Sequence, residues 1–523
     1  MSTKLMLLLA CLAGFSACSP EQSNDRETVD ILILNGTVYD GSLEPPKQTN
    51  IAVTGDRIVS MDASSELNAK LVIDATDLVV TPGFIDPHTH VLDDLLDDEL
   101  KKNISHITQG VTTVFVGNDG GGIPDRETGV ATMRRQGIGP NVGFFAGHNN
   151  IRTTVLGLED RPPTNEELLT MQNLVTEEMR AGALGLSTGL FYKPGSYSNT
   201  EEVIELAKSI VPFGGIYDTH LRDESSYNIG LLGSIEEVLN IAESTGVRVH
   251  IAHLKALGRD VWGQSGDVIA RIDAARAAGV QITADQYPYQ ASGTSFGSAL
   301  VPRWVMADSQ EAMFARFSNP DLDGRIQTEM EGNIYRRGGP DTLLVTGESE
   351  WRGKTLEEIS QEMETAPYAA AIEVVRSGNP SIASFNMTLD DISAIGIQSW
   401  VMTSSDGGTG HPRKFATYPK AYRDFVVDQS LLTVTQFVHR SSGLVADTFS
   451  LCDRGYLEPG RKADIAVIDL DEFSPQADFQ NPERLATGVE HLLVNGVPTI
   501  QGQAANDSLA GAVIDRQNLA CPD

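Results

Sequence analysis

Cysteine, positive charge and long apolar runs are all scarce in this chain, and each scarcity excludes something. Only four of the 523 residues are cysteine, which excludes a small disulfide-stapled fold or a cysteine-rich metal cluster. Lysine and arginine number 39 against 71 aspartates and glutamates, a formal net charge of -32. So acidic a chain repels polyphosphate, and nucleic acid is excluded as a partner. An anionic substrate would need cations gathered locally in its site. Beyond residue 18 no apolar run is long enough to span a bilayer as a helix, and no basic amphipathic segment is present to lie on one. A hydrophobic share of 41% and a charged share of 21% are ordinary for a globular enzyme. The length exceeds one compact domain unless the main domain is a large barrel.

What is present begins with a leader over residues 1–18. Lys4 precedes the apolar stretch Leu5 to Phe15, and small residues lead to Cys18, the order of a secretory signal. Phe15-Ser16-Ala17-Cys18 resembles a bacterial lipobox, with Cys18 as the lipid attachment site. Cys11 is poorer, because only ten residues precede it. Residues 19–28 then read as a tether, and Ser19 after the cysteine resembles an outer-membrane sorting choice. The expectation is an exported lipoprotein, periplasmic or outer-membrane-anchored, that meets the membrane only through this anchor. The alternative is an ordinary signal ending near Ala17. An exported compartment permits Cys452 and Cys521 to pair, but the sequence leaves a bridge and two free thiols equally open.

Short alternating strands with Asn-Gly and Gly-Asp turns fill residues 29–80 and return over 455–510, which suggests a small β-sandwich domain built from both chain ends. Between them, over 81–454, apolar strands alternate with helical stretches, the pattern of βαβ units. Eight strand candidates can be read: Val79 to Asp86, Val111 to Gly117, Val142 to Ala146, Ala183 to Leu186, Gly215 to Thr219, Val247 to Ala252, Val280 to Ala284 and Trp400 to Thr403. The fold class is therefore α/β, a (β/α)8 TIM-like barrel with a β-sandwich, and its site belongs at the C-terminal strand ends. Residues at about 301–390 read as an insertion over the barrel mouth.

Those strand ends carry the chemistry. The first ends in Asp86-Pro87-His88-Thr89-His90, and side chains two apart on a strand share a face, so His88 and His90 can share one metal. The fifth ends at His220, the sixth at His253 and the eighth at Asp406. Imidazole and carboxylate suit Zn2+, as one ion or two, with an open position for water. His250 lies an odd offset from His253 and so faces the other way. His148, after the third strand, is a candidate substrate contact at the mouth. His106, His439 and His491 read as structural or surface residues. Lys255 follows His253 by two and points to the same side, and Arg413 lies in the loop after the eighth strand. Together they form a candidate carboxylate clamp. Arg222 reads as ion-paired to Asp223 or Glu224.

These residues resemble the amidohydrolase superfamily and, within it, the N-acyl-D-amino-acid deacylase (D-aminoacylase) family. The matching segments are Pro82 to His90, Gly189-Leu190-Phe191-Tyr192-Lys193-Pro194-Gly195, His220-Leu221-Arg222-Asp223-Glu224, Ala252-His253-Leu254-Lys255 and Ser405-Asp406 with His411-Pro412-Arg413. The resemblance spans about Asp30 to Gly496. It implies metal-dependent hydrolysis of an N-acyl-D-amino acid, with His220 and His253 as ligands, Asp406 as ligand and proton carrier, His88 and His90 at a second, weaker site, and Tyr192 and Tyr287 joining the carboxylate clamp. One departure stands out. The family typically places a metal-binding cysteine after the second strand, where this chain has Asp119; that aspartate is either a substitute ligand or a turn cap. The fourth strand has no lysine, which disfavours subtypes that bridge two metals with a carbamylated lysine. The alternatives are a dipeptidase or other amide or lactone hydrolase of the same superfamily, and a non-catalytic binding protein on the same scaffold.

Overall fold

The structure, a computed structural model, describes residues 28–519 and Cys521. The leader, Cys18 and most of the tether lie outside the described residues. Eight parallel strands are arranged around one barrel: β1 (Phe84–Asp86), β2 (Val111–Val116), β3 (Asn141–Phe144), β4 (Gly185–Gly189), β5 (Ile216–His220), β6 (Arg248–Ile251), β7 (Ile282–Gln286) and β8 (Val401–Thr403). β1 pairs with β2 and β2 with β3. Ala146–Gly147, just past β3, carries the ladder to β4, and β4 to β8 follow in order. β2, β4 and β5 are buried at every position, as parallel strands covered on both faces must be. Helices Asn165–Arg180, Gly230–Thr245 and Ser265–Ala277 supply the outer layer. Each turns an apolar stripe inward, through Met171 and Val175, Ile235 and Val238, and Val268 and Ile272. The first opens on a reciprocal capping box between Thr164 and Glu167.

β1 and β8 close the ring at their C-terminal ends rather than along their length. Ser405 N donates to Asp86 Oδ1 at 3.1 Å, Asp406 N to the His88 carbonyl at 2.9 Å and His90 N to the Gly407 carbonyl at 3.0 Å. The seam is thus stitched by the segments that carry His88, His90 and Asp406.

The first barrel strand is shorter than Val79 to Asp86. Val79–Pro82 instead pairs with Ile465–Ile468 in the terminal domain, and only Phe84–Asp86 joins the barrel. Pro82 has no N–H for a ladder, and Gly83 donates to Asp464 at 2.8 Å while pressed against the Thr112 side chain, where a Cβ would not fit. The terminal domain is one nine-stranded sheet drawn from both chain ends, around a core that includes Ile31, Ile51, Ile73, Val80, Ile465 and Leu493. The insertion begins earlier than 301. Its antiparallel strands are Ala291–Ser295, Leu343–Val345 and Ser381–Phe385, and it has its own core around Phe296, Leu300, Met330 and Val374.

No helix among the described residues is long and apolar enough to cross a membrane. Cys452 and Cys521 form a disulfide, with Cα atoms 5.2 Å apart, so the open choice between bridge and free thiols resolves to a bridge. It closes a loop 69 residues long. Removing it by Cys521→Ser should lower the unfolding free energy by about 2–4 kcal/mol. Urea melts with and without reductant measure this, and coincident midpoints would show that the bridge adds no stability.

Candidate metal centre

Three of the strand ends deliver their side chains from left-handed backbone. Asp119, His253 and Asp406 all have left-handed backbone, with φ of 54°, 34° and 46°. For residues with a Cβ this costs about 1 kcal/mol or more each. The surroundings fix it. Asp285, buried at the end of β7, accepts from His253 N at 3.0 Å through Oδ1 and lies 2.8 Å from His250 Nε2 through Oδ2; Ser404 Oγ also donates to it. Asp406 N is held by the seam described above.

The side chains converge. His220 Nδ1 and His253 Nε2 are 2.8 Å apart. Asp119 Oδ1 lies 3.3 Å from His253 Nε2, 3.5 Å from His88 Nε2 and 3.9 Å from His220 Nδ1, while its Oδ2 lies 3.5 Å from His90 Nε2. Asp406 Oδ1 is 3.1 Å from His90 Nε2 and 3.7 Å from His88 Nε2. Ligand atoms held about 2.1 Å from one tetrahedral ion stand roughly 3.4 Å apart, and most of these separations cluster near that value. Asp119 faces both halves of the site, one oxygen toward His220, His253 and His88 and the other toward His90. It does not cap a turn.

Donor chemistry supports a cation here. His88 is fully buried with neither ring nitrogen hydrogen-bonded, and His220 Nε2 is likewise unpaired. Buried polar atoms seldom stay unsatisfied. Burial pushes His88 down to about 4 and His220 down to about 3, so both are neutral ligand-type imidazoles at neutral pH. Burial and Lys255 oppose charge on His253, yet Asp119, Asp406 and Glu224 outweigh them and raise it to about 10. His90 rises to about 9 against burial through its bonds to Asp119 and Asp406. Those two imidazoles carry positive charge where a metal would supply it. Asp406 is held far below the usual carboxylate range, against its own desolvation, by Arg413 and His253.

The other expected residues divide. Tyr192, Lys255 and Tyr287 line the same cavity as His220, His253 and Asp406, and Tyr287 has a buried, unpaired hydroxyl. Arg413 lies 2.8 Å from Asp406 Oδ2 and stacks 4.7 Å from the Tyr287 ring. His148 is withdrawn from the mouth. It opens helix His148–Leu156, which turns its ring onto Glu202 at 2.9 Å beside Arg152. Arg222 pairs with Glu237, not with Asp223 or Glu224. Sequence reasoning missed two residues. Glu224 sits 2.6 Å from Lys255 Nζ, 3.2 Å from His253 Nδ1 and 3.9 Å from His220 Nε2, steadying the His253 imidazole from behind. Asp285 does the same for the His253 backbone. Glu224 closes the segment His220 to Glu224 and Asp285 lies near the C-terminal end of β7, so each is visible in the sequence only as an acid at a strand end.

Asp119→Ala should cost the protein most of its tightly bound metal, by elemental analysis after dialysis, and at least 100-fold in activity. Asp119→Cys should retain metal, because thiolate also binds zinc. Full metal content in the alanine variant would remove Asp119 from the site.

With this geometry in view, comparison with known proteins is specific. Residues 71–264 match the Amidohydrolase family. The D-aminoacylase of Alcaligenes xylosoxydans xylosoxydans is 30% identical over 520 residues, which cover 94% of this chain and 99% of that protein. A solved D-aminoacylase with a binuclear metal centre superposes with a TM-score of 0.80 at 28% identity, over 93% of this chain and all of that one. The N-acyl-D-glutamate deacylase of Bordetella bronchiseptica, solved with zinc and a phosphonate mimic of the tetrahedral intermediate, gives 0.80 at 27%, over 94% of this chain and all of that one. The chain belongs to the D-aminoacylase family of amidohydrolases.

Proposed function

We propose that this protein hydrolyses the N-acyl amide bond of N-acyl-D-amino acids, yielding a carboxylate and a free D-amino acid. The observation that carries the proposal is the convergence of His88, His90, His220, His253 and Asp406 on the Asp119 carboxylate. The donor set fits Zn2+, as in the relatives solved with zinc and with a binuclear centre. His220, His253 and Asp119 would hold one ion, and His88, His90 and Asp406 would join Asp119 around a second. When bound, zinc acidifies water and polarises the acyl carbonyl.

The chain's own residues do the rest. Asp406, kept ionised by Arg413 and His253, accepts a proton from the attacking water and delivers it to the departing amine nitrogen. Arg413, Lys255, Tyr192 and Tyr287 surround the place where the substrate's α-carboxylate would lie. β4 supplies no lysine, and Lys193, beyond it, reaches instead toward the Met306 carbonyl at 3.4 Å. The two halves of the site are therefore joined by Asp119, which separates this chain from lysine-bridged amidohydrolases.

The proposal extends to location. The leader over residues 1–18 and the Cys452–Cys521 disulfide support an exported protein anchored by lipid at Cys18, because such bridges persist in oxidising compartments.

Zinc-loaded enzyme should cleave N-acetyl-D-amino acids at least 100-fold faster, in kcat/KM, than their L-isomers or dipeptides; preference for either of the latter would overturn the reading. Asp406→Asn should lower kcat by about 1,000-fold or more while metal at the His220 and His253 half is retained. Retained turnover would take the proton transfer away from Asp406.

A further inference from the structure

The cavity beside His220 and His253 is lined by a second group of residues that the reaction just described does not use. Ser225, Tyr227, Leu257, Ser292 and Arg337 form its far wall. Arg337 comes from the insertion, just past helix Pro320–Arg336, and is 2% exposed. Its guanidinium donates from Nε to the Tyr227 hydroxyl at 2.8 Å and from Nη1 to Ser384 Oγ at 3.2 Å and Ser292 Oγ at 3.4 Å. All three partners are hydroxyl groups. Among the described residues no carboxylate lies within ion-pair distance of it.

That is out of character for the surroundings. The chain carries 71 acids against 39 bases, and four buried cations around the barrel mouth are matched, Arg413 to Asp406, Lys255 to Glu224, Arg222 to Glu237 and Arg152 to Glu202, whereas buried Arg440 bonds to the Gly396 and Met402 carbonyls. Arg303, also without an acid within that distance, stacks 4.1 Å from the Phe191 ring, and Arg337 lies 6.0 Å from the same ring. Burial lowers Arg303 to about 10; Tyr227 opposes that shift and Arg337 adds to it, with Tyr192 and Tyr197 opposing it more weakly. A buried guanidinium without a counter-charge is costly, and its planar fork matches a carboxylate.

We infer that Arg337 binds the side-chain carboxylate of the substrate, so that this enzyme is selective for N-acyl derivatives of acidic D-amino acids. The inference rests on the deacylase reading. Arg413 and Lys255 take the α-carboxylate, while the side chain extends along the cavity toward Tyr227 and Arg337. The insertion thereby reads the side chain, and the barrel performs the hydrolysis.

The test compares kcat/KM for N-acetyl-D-glutamate, its isosteric amide N-acetyl-D-glutamine, N-acetyl-D-leucine and N-succinyl-D-leucine. Wild-type enzyme should favour the glutamate over the glutamine derivative by about 100-fold, with the loss for glutamine mostly in KM. Arg337→Met should cut the ratio of glutamate to leucine activity by about 100-fold, and Arg337→Lys by less. A wild-type ratio of glutamate to glutamine near one overturns the inference, whether or not the variants fold. So does an equal loss on all substrates in Arg337→Met, or dominance of the N-succinyl compound, which would place the carboxylate on the acyl group. Failure of wild-type enzyme on every N-acyl-D-amino acid would instead defeat the deacylase reading itself.

Discussion

Three carboxylates and four imidazoles gathered at one barrel mouth, all but His90 and Asp119 buried, set the constraint that the rest of the molecule serves. Taking a charge out of water costs several kcal/mol unless a counter-charge and hydrogen bonds replace the solvent. Asp119, Glu224 and Asp406 are each met by a cation or an imidazole. The barrel gives what a loop cannot: strand ends from distant parts of the sequence, fixed to fractions of an ångström by ladders that are buried along their length. The closing seam shows the economy of this arrangement. Asp86 receives the Ser405 backbone, and the His88 carbonyl receives Asp406, so the segments that shut the barrel also aim the ligands.

Backbone strain is found in the same place. Left-handed backbone at Asp119, His253 and Asp406 would relax in an isolated strand. Here Asp285 grips the His253 amide, and it is itself gripped by His250 and Ser404. His250 thereby acquires a reason to be buried without facing the metal site: it supports the aspartate that supports a ligand. Pre-organisation of this kind keeps the donor atoms near coordinating distance before any ion binds.

How much of this could be read from sequence followed from the range of the interactions. His-x-His at a strand end is legible because period two is a local rule. The barrel is legible because eight apolar runs ending in polar residues repeat it. The break at Gly83 was not, since it depends on Thr112 and Asp464, which lie far off in sequence and press on it in space. His148 was misplaced for a related reason. Position after a strand fixes depth along the barrel, but a helix starting at that residue rotates the ring outward to Glu202. Glu224 and Asp285 act through neighbours on adjacent strands, and pairing across a parallel sheet leaves no spacing signature. Family resemblance drew the eye to Asp119 through a missing cysteine, yet only the geometry shows the carboxylate reaching both halves of the site.

The local charge balance ties the site to its substrate. Without an ion, the carboxylates of Asp119, Glu224 and Asp406 are met by Lys255, by Arg413 and by the protons drawn onto His90 and His253. Those protons sit on imidazoles that would hold the ion, so the ion must displace them to bind. One divalent ion in place of the two protons leaves the local charge unchanged, and a second makes the mouth strongly attractive to anions. Metal loading and substrate capture are then two consequences of one electrostatic fact. The acids that gather the ion gather protons in its absence, and the ions that replace those protons favour the anion whose amide the water attacks.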